Sequence, residues 1–162
     1  MQHRRQKPGF TIVELLVALA ITAMLLAAVA AAFNASVINY QENEKMYKTM
    51  NNARQAMLRM TAQLRTADCN SVSTTSTECT LTAAGGQNIT YRYNNAERKL
   101  YLVTNDDPSD SDYVLCDNVK AMTFTQVLDG SKVESVQISM TVEIGNISQT
   151  VSSAAVIRKN LE

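Results

Sequence analysis

The sequence predicts an α+β fold in which one long N-terminal helix lies on an antiparallel β-sheet. Three observations carry this. Residues 10–33 form an almost unbroken apolar run, residues 46–67 repeat apolar side chains at helical spacing, and the chain after Cys69 alternates short β-rich stretches with turn residues. At 162 residues, the chain has room for one modest domain and an additional element.

The first nine residues, MQHRRQKPG, hold Arg4, Arg5 and Lys7 and no acid. From Phe10 to Phe33, Glu14 is the only charged residue in 24 positions. As a helix rising about 1.5 Å per residue, this run spans roughly 36 Å, more than the roughly 30 Å hydrocarbon core of a bilayer. Basic residues ahead of it place that end on the cytoplasmic side and the bulk of the chain across the membrane. An ionised carboxylate within such a run costs about 2.5–3.5 kcal/mol on insertion scales, so Glu14 needs a partner or a route to the interface. A secretory signal peptide is one reading, with Ala30-Ala31-Ala32 as its small-residue cleavage site, although signal peptides have apolar stretches of only about 7–15 residues. A plain single-span anchor with Glu14 snorkelling to the interface is a second.

No breaker separates Phe33 from Ala67. Met46, Met50, Ala53, Met57, Met60, Leu64 and Ala67 recur three or four residues apart, which makes one apolar stripe along a helix. Lys45, Lys48, Arg54, Arg59 and Arg65 lie off the stripe and face water. The periodicity predicts a continuous helix from about residue 11 to 67, its stripe packed on the domain's own sheet or, alternatively, on a coiled-coil partner. Beyond it, residues 79–83, 88–93, 99–104, 113–116 and 121–128 read as strands, with Gly85-Gly86, Asn94-Asn95 and Asp129-Gly130 as turns. Val136, Ile138, Met140, Val142 and Ile144 alternate strictly, so that strand has one buried face. Gly145-Asn146 then turns the chain into a last strand within 147–157. Short turns imply antiparallel neighbours.

The stretch KPGFTIVELLVALAI, Lys7 to Ile21, resembles the processing and anchoring motif of type IV prepilins and type II secretion pseudopilins. The resemblance supplies a third reading of the N-terminus. It implies that residues 1–9 are a leader, removed by prepilin peptidase between Gly9 and Phe10, and that Phe10 is then N-methylated. It implies a pilin-like fold in four parts: the leader, a transmembrane and filament-core half-helix (10–33), an amphipathic half-helix (34–68) and a globular β domain (69–162). Cleavage creates an ammonium group on Phe10, and the Glu14 carboxylate of a neighbouring subunit can pair with it. Removing one partner of a buried ion pair typically costs about 3–5 kcal/mol. The partners implied are other pilin or pseudopilin subunits through the N-terminal helix, prepilin peptidase, and an inner-membrane assembly platform. The implied location is the inner membrane, single-pass, with the globular domain in the periplasm before assembly into a pilus or pseudopilus. Many major pilins carry a proline midway through this helix; here the only prolines are Pro8 and Pro108. The segments VLCDNVKAMTF and SSAAVIRK resemble, more loosely, minor pilins of the W type and minor pseudopilins of the J type, which implies a tip or assembly-priming subunit. The alternative function is a membrane-anchored or secreted periplasmic binding module unrelated to a filament.

Cys69, Cys79 and Cys116 all follow the membrane run, where oxidation is expected. Three is an odd number, so one stays free or pairs between chains. A Cys69–Cys79 disulfide would pin the short polar loop between them, and Cys79–Cys116 is the alternative pairing. Asp106, Asp107, Asp110 and Asp112 cluster within NDDPSDSD; carboxylates at this density can gather calcium, and some pseudopilins that this chain resembles bind it. The spacing lacks the glycine and terminal glutamate of a helix–loop–helix calcium site, so a solvated loop is the other reading.

Composition narrows the chemistry. Lysine and arginine total 15, as do aspartate and glutamate; without the leader's three basic residues the remainder is mildly acidic and has no nucleic-acid footprint. His3 is the only histidine, so a Ser/His/Asp or Cys/His mechanism lacks its base. Gly85-Gly86 lacks the lysine and the strand-to-helix context of a phosphate loop. No CxxC pair suggests a metal site. The expectation is a structural protein with no cofactor, the substrate of an enzyme and not itself one.

Overall fold

The computed structural model describes residues 9–83, 85–106 and 112–157. Its elements are one helix, α1 (Ile12–Thr66), and eight strands: β1 (Ser73–Thr74), β2 (Glu78–Thr82), β3 (Asn88–Asn94), β4 (Lys99–Thr104), β5 (Tyr113–Cys116), β6 (Val119–Asp129), β7 (Lys132–Ile144) and β8 (Ile147–Val156). The α+β architecture expected from the sequence is the one observed. The helix begins and ends within one residue of its expected limits. The chain divides into two compact units, residues 1–41 and 42–162.

In the first unit every described residue from Gly9 to Gln41 is exposed. This part of α1 is long and apolar enough to cross a membrane. Its few polar side chains from Phe10 to Phe33 are satisfied locally. The Thr22 hydroxyl donates to the Ala18 carbonyl at 2.6 Å, and Thr11 and Glu14 bond to one another at the helix start. Local satisfaction is what a non-aqueous surrounding demands of polar groups.

The second unit holds the whole hydrophobic core. Met46, Ala53, Met57, Met60, Leu64 and Ala67 of the expected stripe are buried, and Met50 packs against them half-buried. Thr49, Ala56 and Thr61 widen the buried face; the Thr61 hydroxyl is buried without penalty because it donates to the Met57 carbonyl at 2.9 Å. Lys45, Lys48, Arg54, Arg59 and Arg65 are exposed, as their positions off the stripe require. At the end of the helix, Ser71 donates its amide to the Asp68 carbonyl at 2.9 Å and turns the chain into β1.

The strands form two antiparallel sheets, a five-stranded one in the order β1-β2-β3-β4-β5 and a three-stranded one in the order β6-β7-β8. Burial alternates along β2, β3 and most of β4, so that Cys79, Leu81, Ile89, Tyr91, Tyr93, Leu100 and Leu102 face the core. In β7, Val136, Ile138, Met140 and Val142 are almost wholly enclosed. The β7–β8 hairpin pairs Ile144 with Ile147 and leaves Gly145-Asn146 as its turn. Gly145 has φ +55°, and positive φ at the first of two turn residues matches the right-handed twist of the flanking strands.

The two sheets are joined through polar groups. The amide of Phe124 in β6 donates to the Ser76 carbonyl beyond β1 at 3.3 Å, and the amide of Val119 donates to the Arg98 carbonyl of the β3–β4 turn at 2.8 Å. The Tyr93 hydroxyl donates to the Lys120 carbonyl at 2.8 Å.

Candidate functional site

The N-terminal candidate site comprises Gly9, Phe10 and the first turn of α1. The leader residues His3, Arg4, Arg5, Lys7 and Pro8 lie outside the described residues. Gly9 is exposed, and a Cβ built on it would meet nothing within 4 Å. Nothing in the chain's own packing therefore requires glycine there. Phe10 is 80% exposed.

The local sequence T-I-V-E explains the helix start. The Thr11 hydroxyl accepts the Glu14 amide at 3.2 Å, and a Glu14 carboxylate oxygen lies 3.5 Å from the Thr11 amide. This is a capping box, in which threonine and a glutamate three residues on satisfy each other's orphan amides. A negative side chain in the first turn also complements the helix dipole. Charge reasoning singled out Glu14 as an intruder in an apolar run and overlooked this second role, although the T-x-x-E spacing advertises it. Among the described residues no cation pairs with Glu14.

The structure brings neither expected cysteine pair together: Cys69, Cys79 and Cys116 are all free and buried. Strand order explains the separation of Cys79 from Cys116. They lie in β2 and β5 with β3 and β4 between, so three interstrand steps put them about 14 Å apart, beyond the Cα separation a disulfide spans. Cys69 is separated from Cys79 by register. Thr74 pairs with Cys79 and Ser73 with Thr80, while Ser71 already reaches back to accept the Thr82 amide; the chain leading to Cys69 thus runs away from Cys79. Burial pushes the Cys79 thiol up to about 12. Burial, with the Asp117 carboxylate nearby, does the same to Cys116.

Two of the four clustered aspartates, Asp107 and Asp110, lie outside the described residues. Asp106 accepts the Asn88 amide at 2.7 Å, and Asp112 forms an ion pair with Arg92. Among the described residues no group of three histidine, cysteine or acidic side chains is placed to hold a metal ion.

A polar cleft of about 500 Å³ opens beside α1, its lining including Lys45, Lys48, Arg98, Asp117, Glu143 and Gly145. Glu143 bridges Arg98, at 2.7 Å, and Lys120. The hydrogen bonds from Lys120 and then Arg98 hold its carboxyl below the usual carboxylate range. Arg98 on the cleft wall and Lys120 both pair with Glu143, which marks Glu143 as a structural junction between the β3–β4 turn, β6 and β7. Sequence alone did not identify it, because the three partners lie far apart along the chain.

Residues 4–30 match the family model described as the prokaryotic N-terminal methylation motif. No curated protein and no solved structure matches the chain.

Proposed function

We propose that this chain is a minor pilin or minor pseudopilin, a structural subunit at the tip or in the priming complex of a type IV pilus or type II secretion pseudopilus. It enters the inner membrane through residues 10–33 with the leader in the cytoplasm. Prepilin peptidase cuts between Gly9 and Phe10, Phe10 is N-methylated, and an inner-membrane assembly platform adds the subunit to its neighbours through the N-terminal helix.

The observation that carries this reading is the first turn of α1. An acid with no cation partner among the described residues stands in an exposed apolar helix, a few residues after a glycine that the fold itself does not need. Cleavage after that glycine supplies a positive terminus, and methylation keeps its charge. A neighbouring subunit's terminus then meets Glu14, and each charge offsets the desolvation of the other. The methylation motif at residues 4–30 supports the same processing.

Intact mass of the membrane-extracted protein tests it. A chain beginning at N-methylated Phe10 is the expected product. An uncut Met1, or a new terminus after Ala32, would instead indicate a plain anchor or a secreted binding module.

A further inference from the structure

The polar cleft beside α1 has groups that the Glu143 junction does not use. One wall is the helix, through Lys45, Lys48 and Thr49; the other is built from three turns, at Arg98, at Asp117 and at Gly145. Main-chain bonds fix these turns. The Val119 amide donates to the Arg98 carbonyl at 2.8 Å, and the Glu143 amide donates to the Asn118 carbonyl at 3.0 Å. Asn118 and Gly145 have positive φ, which asparagine and glycine adopt more readily than other residues. The cleft is thus pre-formed, as small-ligand sites usually are, and its volume of about 500 Å³ suits one.

Thr49 departs from the pattern of its helix. Of the four threonines in α1, Thr22, Thr61 and Thr66 each donate their hydroxyl to a carbonyl three or four residues back. The Thr49 hydroxyl makes no hydrogen bond among the described residues, although Thr49 is only 7% exposed. A hydroxyl withdrawn from water is ordinarily satisfied. Thr49 borders the cleft, so a bound molecule there can supply the missing partner.

The charges of the cleft are also incompletely used. Lys48 pairs with Glu44 at 2.6 Å, and Arg98 pairs with Glu143. Lys45 on the helix wall and Asp117 on the turn wall enter no ion pair among the described residues, with each other or with any other group. Glu42 lies beside Gly145 but is not part of the lining. Among the described residues the lining holds no aromatic ring, which leaves charge and hydrogen bonding to do the recognition. A complementary ligand carries an anionic group for Lys45 and a cationic group for Asp117.

We propose that this cleft binds a small zwitterion, a free α-amino acid or a short peptide, with its carboxylate on Lys45 and Thr49 and its ammonium group on Asp117. The binding goes beyond the assembly role and does not depend on cleavage at Gly9.

The test titrates the isotopically labelled full chain, in detergent micelles, with triglycine and follows the amide resonances of Thr49, Asn118 and Gly145. Triglycine should shift them saturably. Triglycine amide lacks the carboxylate and N-acetyltriglycine lacks the ammonium group; each should bind about fivefold more weakly. Lys45→Gln should erase the preference over triglycine amide, and Asp117→Asn the preference over N-acetyltriglycine. Thr49→Val should weaken triglycine about tenfold. It should leave the thermal midpoint unchanged or raised, because it removes a buried hydroxyl that has no partner in the fold. Glycine separates the two sources: tighter binding than triglycine assigns the cleft to a free amino acid, and weaker binding assigns it to a peptide. No saturable shift with glycine or triglycine, or equal affinity for the three triglycine forms, would overturn the proposal. So would a Thr49→Val chain that binds as tightly as the native one, or one whose midpoint falls, since that would place the hydroxyl's partner within the fold.

Discussion

The hydroxyl of Tyr93, in β3 of the five-stranded sheet, donates to the main-chain carbonyl of Lys120, in β6 of the three-stranded sheet, at 2.8 Å. The ring is 7% exposed, so this bond lies close to the core and couples the two sheets where the first strand of the smaller one begins. Burial pushes the phenol's pKa up, with the Arg98 charge opposing the shift.

Tyr93→Phe keeps the packed ring and deletes only the donor. It should destabilise the domain by about 1 kcal/mol, the net worth of a typical hydrogen bond, here in a part-buried setting. Thermal unfolding followed by circular dichroism measures this, and an unchanged midpoint would show that the bond contributes nothing net.

Gly145 offers a second test. A Cβ at this position would lie 2.6 Å from a Glu42 carboxylate oxygen, and the backbone there has φ +55°. Gly145→Ala should therefore cost about 1–2 kcal/mol, chiefly from backbone strain, because the Glu42 carboxylate is the flexible end of a side chain and can swing aside. Pairing it with Glu42→Ala removes the collision and leaves the strain. The double variant should recover little of the loss; full recovery would mean that the collision, and not the backbone, sets the cost.

Glu14 has two roles that a pair of substitutions separates. Glutamine at the third helical position preserves a capping box but has no charge to meet a neighbour's terminus. Glu14→Gln should be processed and remain helical yet enter filaments poorly. Glu14→Ala should show the same assembly defect and also fray the first turn, a loss of about 0.5–2 kcal/mol of local helix stability. Normal assembly of the glutamine variant would assign Glu14 to capping alone.

Much of this architecture was legible beforehand. The stripe from Met46 to Ala67 marked the buried face of α1 because a helix repeats every 3.6 residues whatever it packs on. Strict alternation from Val136 to Ile144 marked β7 for the equivalent reason. β1 escaped notice because two residues in a Ser/Thr-rich segment carry no period; Ser73 and Thr74 form a strand only because β2 offers them a ladder. The division into two sheets and the Arg98–Glu143–Lys120 junction were invisible for a related reason, since they depend on contacts between residues far apart in sequence. The cysteines show the same limit. Compartment chemistry predicted oxidation, but strand order and register determine which sulfurs can meet.

The thiols make stability sensitive to alkali. Burial holds Cys79 and Cys116 in the protonated form up to about 12, whereas an unfolded thiol titrates near 8.5. Because the folded values are raised, their contribution is complete below about pH 8.5 and declines as pH rises toward the folded values. Tyr91, also pushed up to about 12 by burial, adds to the loss above about pH 10. Unfolding midpoints should therefore fall steadily between about pH 9 and 11. A Cys79→Ala, Cys116→Ala variant should lose less over that range relative to its own value at neutral pH. In the native protein both thiols should alkylate at least about a hundredfold more slowly than a free peptide thiol at pH 8.

The exposed stretch before residue 42 has a genetic consequence. Every enclosed side chain among the described residues lies at Met46 or later, so exchanges between apolar residues upstream cost the domain no packing. A mutational survey scored for abundance of soluble, folded domain should be almost silent from Phe10 to Gln41. The same library scored for incorporation into an assembly should be loud there, and the difference between the two maps would outline, residue by residue, what the helix touches outside its own chain.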